Sequence, residues 1–143
     1  MAGFEVVRNT RLSAPEAWSR VTDWQRHGDH APLTTVTVHG APGSPDESFV
    51  ARTAIGPIGF DDPMSVSYRR EPTESEPGVA RLVKTGRVVV GWAVLTVTAV
   101  PGGSEVRWHE EARLRFTRGP LVTIADVVLK VGFGHLLSSL LRE

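Results

Sequence analysis

The densest polar run inside an otherwise apolar segment is Trp108-His109-Glu110-Glu111. Strand side chains alternate between two faces. If Val106 points inward, then Trp108, Glu110, Ala112 and Leu114 do too, while Arg107, His109, Glu111 and Arg113 meet solvent. Glu110 is then a carboxylate on a largely apolar wall. Burial raises a carboxylate's pKa, which suits proton transfer or binding of a ligand hydroxyl. The plainer reading is a structural Glu paired with a nearby Arg or a helix group. His135 is the second candidate. On a helical wheel it shares the expected core-facing side with Gly132 and Ser139, where it can hydrogen-bond a ligand or act as a general base. The plainer reading is a structural His near a helix C-terminus, where the dipole favours a partly charged ring. If Glu110 and His135 meet across a cavity, they form an acid/base pair.

Other polar clusters carry less. Asp61-Asp62-Pro63 can line a cavity mouth or bind a cation, but Asp before Pro is also an ordinary turn signal. His27-Gly28-Asp29-His30 offers two imidazoles on a loop without a placed third ligand. Of the tryptophans, Trp18 and Trp24 read as anchors for short helices. Trp108 has the best claim to a ligand wall, and Trp92 is out of phase with Ala93, Leu95 and Val97. Gly-rich phosphate loops, a serine nucleophile elbow and HExxH are all missing, so neither a cofactor nor a metal is expected.

A chain of 143 residues suits one domain, here 1–143. It has no cysteine, which excludes disulfides, thiolate metal sites and cysteine nucleophiles. Basic and acidic residues number 16 each, which disfavours nucleic acid as a partner. The basic residues comprise 14 Arg and only 2 Lys, Lys84 and Lys130. The opening Met1-Ala2-Gly3-Phe4-Glu5 has neither a basic nor an apolar leader segment. No apolar run reaches the ~18 residues of a membrane span. A cytoplasmic protein without stable membrane insertion, monomer or homodimer, is expected.

The elements that must position these residues follow from period and breakers. Residues 4–12 alternate as a first strand. Ser13-Ala14-Pro15-Glu16 has capping-box spacing, with Pro15 in the first helical turn. The short helix it opens runs to about Thr22, and Asp23 opens a stub from Trp24 to His27, stopped by Gly28. A period of two then holds, with turn residues between strands at Leu33–His39, Glu47–Ile55, Met64–Arg70, Ala80–Gly86, Val88–Val100 and Glu105–Phe116. After Gly119-Pro120 the period becomes helical. Leu121, Ile124, Ala125, Val128, Leu129, Gly132, His135, Leu136 and Ser139 share one face of a helix about 30 Å long. The expected architecture is α+β: a helix-grip fold, with two short helices after the first strand and a long C-terminal helix over the concave face of a curved, seven-stranded antiparallel sheet. Small residues at Ala93, Ala99, Ala112, Gly132 and Ser139 would leave space between helix and sheet.

The stretch Leu12-Ser13-Ala14-Pro15-Glu16-Ala17-Trp18, then Val21-Thr22-Asp23-Trp24, carries a resemblance. So do the strand and turn from Gly91 to Pro101-Gly102-Gly103, Glu105-Val106-Arg107-Trp108, and the closing helix. In this order they resemble the START-like superfamily of polyketide cyclases/dehydrases and lipid-transport proteins, over essentially the whole chain. The resemblance implies the helix-grip fold and ligands of the lipid, polyketide or isoprenoid class.

The leading expectation is a binding module for a small hydrophobic molecule, held by Trp108, Ala93, Leu95, Val97, Ala112, Val128, Gly132, Leu136 and Ser139. One alternative is an enzyme that cyclises or dehydrates a polyketide-like substrate, with Glu110 and His135 handling protons. Another is a protein-interaction module.

Overall fold

The computed structural model describes residues 2–31, 33–55, 57–87, 89–114, 131 and 133–142. Strand β1 (Ala2–Thr10) leads into helices α1 (Ala14–Val21) and α2 (Trp24–His30). Six strands follow: β2 (Thr34–His39), β3 (Ser48–Ile55), β4 (Ile58–Arg70), β5 (Gly78–Thr85), β6 (Val89–Val100) and β7 (Gly103–Leu114). They form one antiparallel sheet of seven strands in the order β1-β7-β6-β5-β4-β3-β2. The sheet curls into a half-barrel, and the C-terminal helix completes the helix-grip arrangement.

Local signals account for most boundaries. Ser13 caps α1, its hydroxyl accepting from the Glu16 amide at 3.3 Å, a cap typically worth about 1 kcal/mol. Glu16 does not complete the reciprocal half of a capping box and pairs instead with Arg20 at 3.2 Å. Helix α2 runs through Gly28 to His30, past the expected stop, and Asp23 provides no side-chain cap. Strand β4 begins at Ile58, six residues earlier than expected, so Asp61, Asp62 and Pro63 lie inside a strand rather than in a turn. Pairing with β3, Ala51 to Asp62 and Val50 to Pro63, holds them there.

The inner face is built in rows across the strands. One row runs Phe49, Met64, Lys84, Gly91 and Ala112; the next runs Leu82, Ala93, Glu110 and Phe4; a third runs Ala80, Leu95, Trp108 and Val6. Nearly all of these side chains are buried and apolar, and they form the core with Ala17, Trp18, Val21 and Trp24 of the short helices. No helix among the described residues is long and apolar enough to cross a membrane.

Residues 131 and 133–140 are helical. Leu136, Leu137, Leu140 and Leu141 are buried and Phe133 packs against the core. Those positions fall at i, i+3, i+4, i+7 and i+8, one continuous face. The expected face, centred near Gly132 and Leu136, is therefore corrected in the described turns. Rotation of the helix turns His135 out to solvent, where it is exposed. Arg8 of β1 ties the helix down, its Nε donating to Ser138 Oγ at 2.9 Å. The expected helical residues 121–130 and Gly132, Val128 among them, lie outside the described residues.

Candidate functional site

Among the described residues, Asp62 on β4, Lys84 on β5 and Glu110 on β7 form a charged cluster on the inner face, apart from Arg8, which shares the phase of Val6 on β1 and reaches the helix. Lys84 Nζ lies 2.6 Å from Asp62 Oδ2 and 3.3 Å from Glu110 Oε1. It also approaches Met64 Sδ at 3.9 Å. The Lys84 side chain is only 2% exposed. Strand β6 separates β5 from β7, yet Lys84 reaches Glu110 because β6 presents Gly91 and Ala93 between them. Gly91 is required there: its φ is +141°, and a Cβ would stand 1.9 Å from the Glu111 carbonyl oxygen.

The electrostatics follow from one cation shared by two carboxylates. Loss of water on burial raises the pKa of both Asp62 and Glu110, against the opposing pull of Lys84. The Asp62 charge pushes Glu110 up further. Among the described residues, buried Asp62 Oδ1 has no hydrogen-bond partner. Trp108 Nε1, two residues from Glu110 on the same face, is likewise buried and unpartnered. The wall thus offers one acceptor and one donor left unused among the described residues.

Trp108 is fully buried beneath the C-terminal helix, with Phe133 at 4.3 Å and His27 at 6.2 Å between ring centroids. His27 Nε2 meets the Val21 carbonyl at 2.8 Å, so that nitrogen carries the hydrogen. Burial lowers its pKa, favouring the neutral ring. His30 is exposed, so the two imidazoles of the loop motif part company.

The sequence of the chain matches no family model and no curated protein. Solved structures do match. A STAR-related lipid transfer protein from Xanthomonas axonopodis superposes with a TM-score of 0.71 at 14% identity, over 98% of this chain and 86% of that one. A START superfamily protein from Mycobacterium smegmatis gives 0.68 at 14% identity, over 97% and 96%. An aromatase/cyclase from a Streptomyces species gives 0.68 at 11% identity, over 98% and 91%. The fold is START-like.

On the START-like sheet the expected wall residues Trp108, Ala93, Leu95, Val97 and Ala112 are all buried, and Leu136 joins them from the helix. Ala99 is exposed: it has the inward phase but lies at the end of β6 beside the Pro101–Gly102 turn. Ser139 is half-buried. Glu110 is buried while His135 is exposed, so the acid/base pair expected from those two gives way to Glu110 with Lys84 and Asp62. Trp92 is 38% exposed on the outer face, as its phase requires.

Sequence reasoning missed Lys84 and set Asp62 aside. A signal for Lys84 existed: it continues the inward series Ala80, Leu82, and it is one of two lysines among 16 basic residues. Asp62 gave no such signal, because its dipeptide with Pro63 reads as a turn.

An open groove of about 580 Å³ lies elsewhere, lined by Trp18, Thr22, Trp24, Pro42, Glu47 and Arg69 among others. Glu47 accepts from Arg69 Nη1 at 2.6 Å, Trp24 Nε1 at 2.9 Å and the Gly43 amide at 2.9 Å. Both of its oxygens are used in pinning α2 to the start of β3. This is an architectural ion pair rather than a reactive one.

Proposed function

We propose that the START-like chain binds a small hydrophobic molecule of the lipid, polyketide or isoprenoid class between the inner face of the sheet and the C-terminal helix. The observation that carries this reading is the Asp62–Lys84–Glu110 group, with Asp62 Oδ1 unpartnered, set in an otherwise apolar wall. Apolar surroundings with a few fixed polar groups are the usual make-up of a small-molecule site. The wall comprises Trp108, Leu95, Val97, Ala93 and Ala112, with Leu136 opposite; Val128, Gly132 and Ser139 complete it in this proposal. Lipid transfer and aromatase/cyclase activities among proteins of the same fold support this ligand class.

The test is saturable binding of the neutral dye Nile red, together with mass spectrometry of small molecules retained on purification from the native host. Ala93→Phe, which places a ring between Leu82 and Glu110, is expected to weaken dye binding by about tenfold or more. Trp92→Ala, on the outer face, is expected to leave it unchanged. Absence of saturable dye binding and of any retained molecule would overturn the proposal.

A second reading, cyclisation or dehydration of a polyketide-like substrate, draws on the raised pKa of Glu110. A carboxyl group shifted toward neutrality can pass a proton to or from a bound carbonyl compound. In this reading Glu110 acts with Lys84 and Asp62, without His135.

A further inference from the structure

We infer that the Asp62–Lys84–Glu110 group selects ligands whose polar end is a neutral hydroxyl and discriminates against carboxylates. The inference rests on the binding reading and names its ligand class.

The donor count comes first. A lysine ammonium has three hydrogens and no acceptor. Lys84 Nζ donates to Asp62 Oδ2 at 2.6 Å and approaches Met64 Sδ at 3.9 Å, and it is ion-paired with Glu110 Oε1 at 3.3 Å. It keeps no strong donor for an incoming anion. Asp62 Oδ1 is the group left over, a buried acceptor that receives nothing from the described residues. A buried polar atom without a partner is unfavourable, and a donor brought by the ligand relieves it.

The charge count points the same way. One ammonium already faces two carboxylates. A third carboxylate, from a fatty acid, would add negative charge beside two carboxylates that, among the described residues, already share Lys84 as their one contacting cation, in a region with little water to screen it. An ester or ketone avoids the charge but only accepts, and so leaves Asp62 Oδ1 as it was. A hydroxyl both donates and accepts. It serves Asp62 Oδ1 as donor, and a hydroxyl or second oxygen can accept from the unpartnered Trp108 Nε1 on the same wall.

The experiment is displacement of Nile red at pH 8 by three probes of matched chain length, each below its critical micelle concentration: dodecan-1-ol, methyl dodecanoate and sodium dodecanoate. Half-displacement by the alcohol is expected at a concentration ~10-fold lower than by either of the others, the scale of one hydrogen bond to a charged group. In Asp62→Asn, Lys84 Nζ holds the amide oxygen and turns the amide NH2 to the place of Oδ1. The alcohol's advantage is then expected to shrink and the ester's affinity to rise. Dodecanoate competing as well as the alcohol in the unmodified protein overturns the inference while leaving the binding reading intact. So does an unchanged alcohol advantage in an Asp62→Asn protein that melts normally. If that variant does not fold, the ranking in the unmodified protein decides alone. Failure of the unmodified protein to bind Nile red removes the binding reading, and this inference with it.

Discussion

Lys84 and Glu110 belong to strands that are not neighbours in the sheet, yet Nζ and Oε1 lie 3.3 Å apart, because the strand between them presents only Gly91 and Ala93 there. The contact compensates a carboxylate that is 5% exposed. It does so incompletely, since Asp62 draws on the same ammonium.

Removal of that ammonium should therefore produce a pH-dependent loss of stability. The folded state holds Asp62 and Glu110 above their ordinary values. Folding then binds protons, so the stability these groups contribute is fullest below the ordinary carboxylate range and is lost as pH rises through the raised values. Lys84→Met takes away the opposing pull and moves both groups higher still. We expect a cost of about 3 kcal/mol near pH 8, where both carboxylates tend to ionise, and a smaller one near pH 5. Urea denaturation at the two pH values measures the difference. An equal cost at both would mean that Lys84 does not compensate these carboxylates.

Gly91→Ala should be among the most damaging single-methyl additions to this chain. The new Cβ would stand 1.9 Å from the Glu111 carbonyl oxygen, which is backbone and cannot swing aside. The φ of +141° is also one that L residues avoid. We expect a loss of about 3 kcal/mol or more, from combined strain and forced separation of β6 from β7. A variant within 1 kcal/mol of the parent in chemical denaturation would contradict the local geometry.

His135 and Glu110 should part company in any functional assay. His135 is exposed, so His135→Ala is expected to change stability by less than about 0.5 kcal/mol and to leave Nile red binding as it was. If turnover of a polyketide-like substrate is found, Glu110→Gln should reduce it by about 10²-fold and His135→Ala should not. The reverse pattern would restore His135 to the site and remove Glu110 from it.

Much of this molecule was legible in its residues, and the failures have physical causes. Alternation along β7 placed Val106, Trp108 and Glu110 inward, because a period of two admits only two phases and Val106 chose one. Ser13 announced α1, because a cap is a local interaction between residues three apart. The helix around His135 was harder. Its expected phase rests on a long stretch, whereas among the described residues Phe133, Leu136, Leu137, Leu140 and Leu141 define the face that docks. Asp62 was legible as a cavity-mouth candidate but not as a strand residue, because the partners that make it one, Ala51 on β3 and Lys84 on β5, come from pairing and not from its neighbours in sequence.

Among the described residues, strand β1 finds its only sheet partner in β7, and the ion pair Arg107–Glu5 joins residues 102 positions apart. During synthesis at about 5–20 residues per second, the first strand therefore waits roughly 5–20 s for the segment it must zip onto. Throughout that interval Phe4 and Val6 have no companion from β7 to hide them, and the growing chain exposes an open hydrogen-bonding rim. An unpaired rim of this kind is a template for pairing with another chain, so joining β1 to β7 closes one such site.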